Sequence, residues 1–119
     1  FIKMGNEVNV QDGAIIHCTY KKSPTTIGNQ VTIGHNAIVH GCTIKDRVLI
    51  GMGAIVLDNC IIESDSIIAA GAVVTMGTHV KSGEIYAGVP AKKVKEGEFK
   101  KQLLDLANKY VEYSKWYKD

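Results

Sequence analysis

Small aliphatic residues recur every six positions along most of this chain, and that period constrains the fold more than any other feature. Neither the 3.6-residue period of a helix nor the alternation of a half-buried strand fits the pattern as well. In a hexapeptide repeat, six residues form one short strand and one turn, so three repeats close one triangular coil. We expect the repeat residues to fill the interior of a prism whose coils stack about 4.8 Å apart. These residues are Met4, Val10, Ile16, Ile27, Ile33, Val39, Ile44, Ile50, Val56, Ile62, Ile68, Val74, Val80 and Tyr86.

The repeat loses its register at two places. Ile16 and Ile27 are eleven residues apart, so we expect an insertion of five residues within Cys18–Thr26 to bulge from one corner. The step from Val39 to Ile44 is one residue short, which requires a tighter corner. Counting three repeats per coil predicts about four and a half coils. The coils begin at Met4, Ile27, Ile44 and Ile62, with an incomplete one from Val80.

Beyond Lys92 the aliphatic period gives way to charged residues with helical spacing. Apolar residues follow at steps of three and four, namely Phe99, Leu103, Leu106, Tyr110, Tyr113 and Tyr117. This spacing predicts one amphipathic helix whose apolar stripe covers a side of the prism or a neighbouring subunit, because an isolated helix of this length is marginal in water. We therefore predict a β-helix over residues 1–92 and a helix packed on it over residues 93–119.

Composition excludes several classes of protein. The net charge of +2 is dispersed and aromatic residues are few, so we expect no nucleic-acid partner. No apolar run is long enough to span a bilayer and no signal peptide is visible, which predicts no membrane partner and a cytoplasmic location. The three cysteines Cys18, Cys42 and Cys60 include no CxxC pair, which favours buried free thiols over a disulfide framework. Because Phe1 reads as part of a strand, we expect an N-terminal segment to be missing.

The positions of three histidines within the repeat predict a metal site. His17 directly follows the third repeat residue of coil one, and His40 directly follows the third repeat residue of coil two. They are therefore stacked neighbours on one side of the prism, where two imidazoles can converge on one cation. His35 lies two residues after the middle repeat residue of coil two, on a different side. One chain therefore does not easily bring all three together.

A homotrimer resolves this separation, because the side carrying His17 and His40 can face the side carrying His35 of the next subunit. Three such interfaces give three identical sites. Three neutral imidazoles leave a fourth position open, which is typical of catalytic and not of structural zinc sites. Zinc is the expected divalent metal, and iron or cobalt would also suit the ligands. The alternative, three unrelated surface histidines, stays open on the residues alone.

The chain resembles the gamma-class carbonic anhydrases along essentially its whole length. Four early segments carry the resemblance: Asn-Val-Gln-Asp-Gly at 9–13, Ile-His at 16–17, Ile-Gly-His-Asn-Ala at 33–37 and Val-His-Gly-Cys at 39–42. The later runs 68–74 and 86–92 also match. The run 86–92 is shared with hexapeptide acyltransferases and is the weaker signal. The resemblance implies a left-handed parallel β-helix, an exception to the usual right-handed crossover, assembled as a trimer with metal between subunits.

The resemblance also implies a role for individual residues. The family's metal ligands correspond to His17, His35 and His40, and its pocket residues to Asn9, Gln11 and Tyr86. Asp12 corresponds to an interface aspartate, and by register it lies one coil away from His35. Tyr86 also occupies a core repeat position, so both pocket and packing roles stay open for it. The family's Arg-x-Asp segment would precede Phe1, so the expected arginine partner of Asp12 is absent from this sequence.

The implied reaction is attack of a metal-bound hydroxide on carbon dioxide to give bicarbonate, with Gln11 and Asn9 orienting the reactants. The loop after His17 contains no acidic residue to export the proton, so we expect weak carbonic anhydrase activity. Two alternatives remain. A hexapeptide acyltransferase would use one histidine as general base and an acyl thioester as cofactor. A trimeric scaffold would bind metal without turnover.

Overall fold

Short parallel strands stack into three sheets that form the sides of a left-handed parallel β-helix. The computed structural model describes residues 1–18 and 24–116, with side chains to Lys109. The strands are β1 Ile2–Met4, β2 Asn9–Val10, β3 Ile15–His17, β4 Thr25–Ile27, β5 Thr32–Ile33, β6 Ile38–His40, β7 Thr43–Ile44, β8 Leu49–Ile50, β9 Ile55–Val56, β10 Ile61–Ile62, β11 Ile67–Ile68, β12 Val73–Val74, β13 His79–Val80, β14 Glu84–Ala87 and β15 Lys92–Glu96. Sheet A is β1-β4-β7-β10-β13, sheet B is β2-β5-β8-β11-β14-β15 and sheet C is β3-β6-β9-β12.

The six-residue period places one aliphatic residue of each strand in the core. On sheet B, for example, Ile33 pairs in register with Ile50, and Ile50 with Ile68, and all three are fully buried. Each corner within the described residues is turned by a residue with positive φ, such as Gln30 at 59° and Asn59 at 62°. Asparagine tolerates this left-handed conformation better than most residues, so the chain can turn there without glycine.

The interior is incomplete in the first coil. Met4 is 50% exposed and Val10 is 41% exposed, although both were predicted to fill the prism. The prediction is wrong for these two residues because coil one lies at the end of the described stack, where only coil two covers the repeat residues. From Ile27 onward, the aliphatic repeat residues through Val80 are at most 1% exposed.

The other end of the stack closes with a strand that the sequence did not indicate. After the turn at Val89–Pro90, β15 runs antiparallel to β14 and supplies partners to its backbone groups. Lys93 forms ion pairs with Glu84 and Glu96 at 3.3 and 3.1 Å. The strand covers an edge that would otherwise be open for pairing with another chain.

Helix α1 spans Lys100–Trp116 and packs near β2 of sheet B, with Leu103 and Ala107 buried. It begins later than the predicted boundary at residue 93, because residues 92–96 form β15. The division into two domains stays a prediction. Residues 19–23 of the predicted insertion, and residue 117 of the predicted apolar stripe, lie outside the described residues. Within the described chain, α1 is not long and apolar enough to cross a membrane.

Candidate metal centre

His17 and His40 lie side by side on the outer face of sheet C. They are paired residues of the neighbouring strands β3 and β6. Their rings are stacked, with centroids 4.8 Å apart and planes inclined by 24°. The Nδ1 atom of His17 is 2.9 Å from the Nε2 atom of His40. The predicted stacking is therefore confirmed, and the role of the two residues as metal ligands stays a prediction.

The geometry of the two rings fits a shared cation. Two nitrogens bound to one zinc through bonds of about 2.05 Å at a near-tetrahedral angle are roughly 3.3 Å apart. A small rotation of either ring from the observed 2.9 Å separation gives that spacing. In the contact itself, one nitrogen must donate a proton and the other accept it. A cation would replace that proton and bind both lone pairs.

Asp58 is the nearest acidic partner of this pair, and sequence reasoning missed it. Its Oδ1 atom contacts Nδ1 of His40, on the opposite side of the ring from His17. The two side chains are 28% and 22% exposed. The sequence does contain a signal, because Asp58 lies two residues after Val56, on the coil next to His40. Metal-binding histidines commonly donate their other ring N–H to a carboxylate in this way.

His35 lies apart from the other two histidines. It follows β5 at the corner between sheets B and C, and its side chain is exposed. Asp12 occupies the same corner one coil away, as the bond from the Asn36 amide to the Asp12 carbonyl shows at 3.1 Å. Among the described residues, no three His, Cys, Asp or Glu side chains gather closely enough to hold a metal. A single subunit therefore supplies two adjacent imidazoles, and the predicted third lies on another side.

The three predicted pocket residues lie on sheet B and not beside the His17–His40 pair. Asn9 belongs to β2, near α1, and its buried Oδ1 atom has no hydrogen-bond partner within the described structure. Gln11 lines an apolar groove of about 350 Å³ together with Gly51 and Leu106. Tyr86, in β14, packs against the hydrophobic core. Within one subunit, Asn9 and Gln11 are thus separated from the histidine pair by the corner of the prism.

The three cysteines are free thiols, and two of them are buried as predicted, whereas Cys18 is half-buried. Cys42 and Cys60 belong to the core and are each 1% exposed. Burial raises the pKa of Cys42 to about 12 and also raises the pKa of Cys60. Because the thiolate is the form that reacts and binds metal, both side chains are packing residues near neutral pH.

Comparison with known proteins identifies the family of this chain. The family described as bacterial transferase hexapeptide (six repeats) matches residues 41–75. A protein named "Probable carbonic anhydrase" from Methanocaldococcus jannaschii is 40% identical over 95% of this chain and 72% of its own length. The chain belongs to the gamma carbonic anhydrase-like hexapeptide family. Gamma-class relatives imply metal dependence, and members of the family are typically oligomeric.

Two further relatives define the extent of the similarity. "Gamma carbonic anhydrase 2, mitochondrial" of Arabidopsis thaliana is 38% identical over 95% of this chain, which spans 40% of that protein. The crystal structure of a hexapeptide transferase family protein from Anaplasma phagocytophilum superposes with a TM-score of 0.92 at 39% identity. That match covers 98% of this chain and 69% of the other. The fold of this gamma carbonic anhydrase-like chain is thus shared with proteins named for two different reactions.

Proposed function

We propose that this protein is a gamma-class carbonic anhydrase-like enzyme that hydrates carbon dioxide to bicarbonate at sites shared between subunits of a homotrimer. The observation that carries the proposal is the His17–His40 pair, whose facing nitrogens are 2.9 Å apart on an outer face of the prism. A histidine that acts alone as a general base needs no second imidazole at this distance, whereas a metal cation is bound by several such ligands. Membership of the gamma carbonic anhydrase-like family also supports a metal site.

The ligands of the proposed site are His17 and His40 of one subunit and His35 of the next. A divalent cation there, most simply zinc, supplies the Lewis acidity that ionises a water near neutral pH for attack on carbon dioxide. His40 would hold the cation through Nε2, because its Nδ1 faces Asp58. His17 would hold it through Nδ1, the atom that faces His40.

The remaining residues orient the reactants in this proposal. The side-chain amides of Asn9 and Gln11 carry the hydrogen-bonding groups that would orient a small polar reactant. Both lie on sheet B, the sheet next to the corner that carries His35, so the neighbouring subunit would present them together with His35. Tyr86 is proposed as a further residue of this pocket, and Asp12 remains the proposed interface aspartate. The proton released in the reaction must leave by buffer, because Cys18–Thr26 carries no acidic residue, and activity is therefore weak.

The test is substitution of His17 and of His40 by alanine. Each variant should lose the bound metal and the hydration activity while keeping its fold, because both side chains lie on the outer face. His79→Ala is the matched control, since His79 pairs with Glu63 at 2.6 Å on sheet A. Elemental analysis and stopped-flow hydration assays measure the two quantities. A full complement of metal in His17→Ala or His40→Ala would contradict the ligand assignment.

A hexapeptide acyltransferase is the second candidate, and the match to the bacterial transferase hexapeptide family favours it. In that case, one histidine would act as general base for an acceptor, and activity would depend on an acyl thioester and persist without metal. Transfer from acetyl coenzyme A after removal of metal separates this candidate from the first. A metal-loaded trimer that does not hydrate carbon dioxide at any buffer concentration would leave a metal-binding scaffold without turnover as the remaining candidate.

A further inference from the structure

The contact between Asp58 and His40 depends on the corner where the chain is one residue short. Val39 and Val56 are paired residues of β6 and β9, so His40 stands above Leu57. The left-handed residue of the corner is then Gly41 in coil two and Asn59 in coil three, with φ of 57° and 62°. The Asn59 amide donates to the Gly41 carbonyl at 2.8 Å across this shortened corner.

Because Gly41 has no side chain, coil two places no side chain above Asp58. His40 is followed at once by the left-handed Gly41, whereas Leu57 is followed by Asp58 before the left-handed Asn59. Without a coil-two side chain above it, the Asp58 side chain reaches the ring of His40. In a regular six-residue corner, another side chain would stand above Asp58.

The contact fixes which nitrogen of His40 carries the proton. A carboxylate only accepts hydrogen bonds, so Nδ1 of His40 must donate to Asp58. The neutral ring then has its lone pair on Nε2, the atom that faces His17 at 2.9 Å. Without a partner on Nδ1, a neutral imidazole is free to place its proton on either nitrogen.

We infer that Asp58 is a positioning residue that holds His40 in the tautomer and orientation needed to bind a cation beside His17. The inference rests on the proposed metal site and adds the group that organises it. Removal of such a partner typically weakens metal binding by about 10- to 100-fold. In the contact with His40, the Nδ1 atom of His17 is then the donor, and a bound cation would take the place of its proton.

The experiment measures the tautomer of His40 and the affinity for zinc separately. In metal-free wild-type protein at mildly alkaline pH, long-range ¹H–¹⁵N NMR should show His40 protonated at Nδ1. Asp58→Ala should lose this preference and bind zinc about 10- to 100-fold more weakly in a chelator competition. Asp58→Asn should lie between the two, because its amide oxygen accepts a hydrogen bond without charge. Asp65→Asn is the control, since Asp65 pairs with Arg47 at 2.7 Å at another corner.

The outcomes separate the two proposals. An Asp58→Ala protein that keeps the Nδ1 tautomer and the zinc affinity of the Asp65→Asn control would overturn the inference about Asp58. Wild-type protein that binds no zinc would defeat the proposed function, while the tautomer measurement would still decide the role of Asp58 toward His40. If Asp58→Ala does not fold, the same two measurements on Asp58→Asn decide, because its shape is preserved. Unchanged tautomer and affinity in that variant would overturn the inference.

Discussion

At the scale of single residues, polar side chains of this β-helix act mainly on the next coil. At the corner between sheets A and B, Asn29 accepts from the Asn6 amide at 2.8 Å, and Asp46 accepts from the Asn29 amide at 2.7 Å. At the corner after sheet C, Asp58 accepts from a histidine ring. The same arrangement, one side chain per coil, stabilises one corner and contacts a proposed metal ligand at another.

Burial of Cys42 predicts a loss of stability at alkaline pH. Burial raises the pKa of its thiol from 9.0 to about 12, so the unfolded chain ionises first as pH rises. The associated stabilisation is complete below pH 9.0 and disappears as pH rises toward 12. Cys42→Ala should therefore lose less stability than wild type over this interval. Denaturant unfolding at several pH values measures the difference, with Cys18→Ala as control. Parallel losses in wild type and Cys42→Ala would refute the assignment.

At the scale of strands and coils, the sequence was most informative where local pattern and packing agree. The period of six predicted the repeat residues from Ile27 to Val80, because each fills a nearly identical interior position. It also placed His17 beside His40, since one residue past the repeat position always lies on the outer face. The left-handed sense of the β-helix was inferred from the family resemblance, because the six-residue period is the same for either hand.

The features that the sequence did not predict depend on contacts between residues that are far apart in the chain. Strand β15 is rich in lysine and reads as loop or helix, yet the open edge of β14 provides backbone partners that outweigh its propensity. The contact of Asp58 with His40 required the exact alignment of a shortened corner. The exposure of Met4 and Val10 depends on which coil ends the stack, which the period cannot indicate.

Close stacking of coils predicts the cost of a single methyl group at Gly28. A Cβ there would lie 2.3 Å from Oδ1 of Asp46 and 2.7 Å from the carbonyl carbon of Lys45. Because the second contact is with backbone, side-chain rotation cannot relieve it. Gly28→Ala should lower the free energy of unfolding by about 1–3 kcal/mol. Lys45→Ala, an exposed site on the adjacent coil, should change it by less than about 0.5 kcal/mol. Equal stability of both variants in denaturant titrations would contradict this prediction, because it would show that the adjacent coil shifts to accommodate the methyl group without loss of stability.

At the scale of the whole molecule, the described surface carries apolar side chains that would suit contact between subunits. Apolar side chains are exposed near the predicted ligands, with Ile15 at 53% and Met52 at 60%. Ile15 precedes His17 by two residues on sheet C, and Met52 lies one coil from His35 at the corner of sheets B and C. Burial of both faces in one interface would remove apolar surface from water and bring the three histidines together.

The shared site predicts a specific result when defective subunits are mixed. In a ring where each site takes His17 and His40 from one subunit and His35 from the next, a mixed trimer of His17→Ala and His35→Ala chains has one intact site. Random exchange at equal concentrations should therefore restore about one quarter of all sites. Zinc content after refolding the mixture measures this fraction. A mixture of His17→Ala and His40→Ala is the control and should restore none, because both lesions fall on the same side of every interface. Equal zinc recovery in the two mixtures, once exchange is demonstrated with tagged subunits, would rule out a site divided in this way.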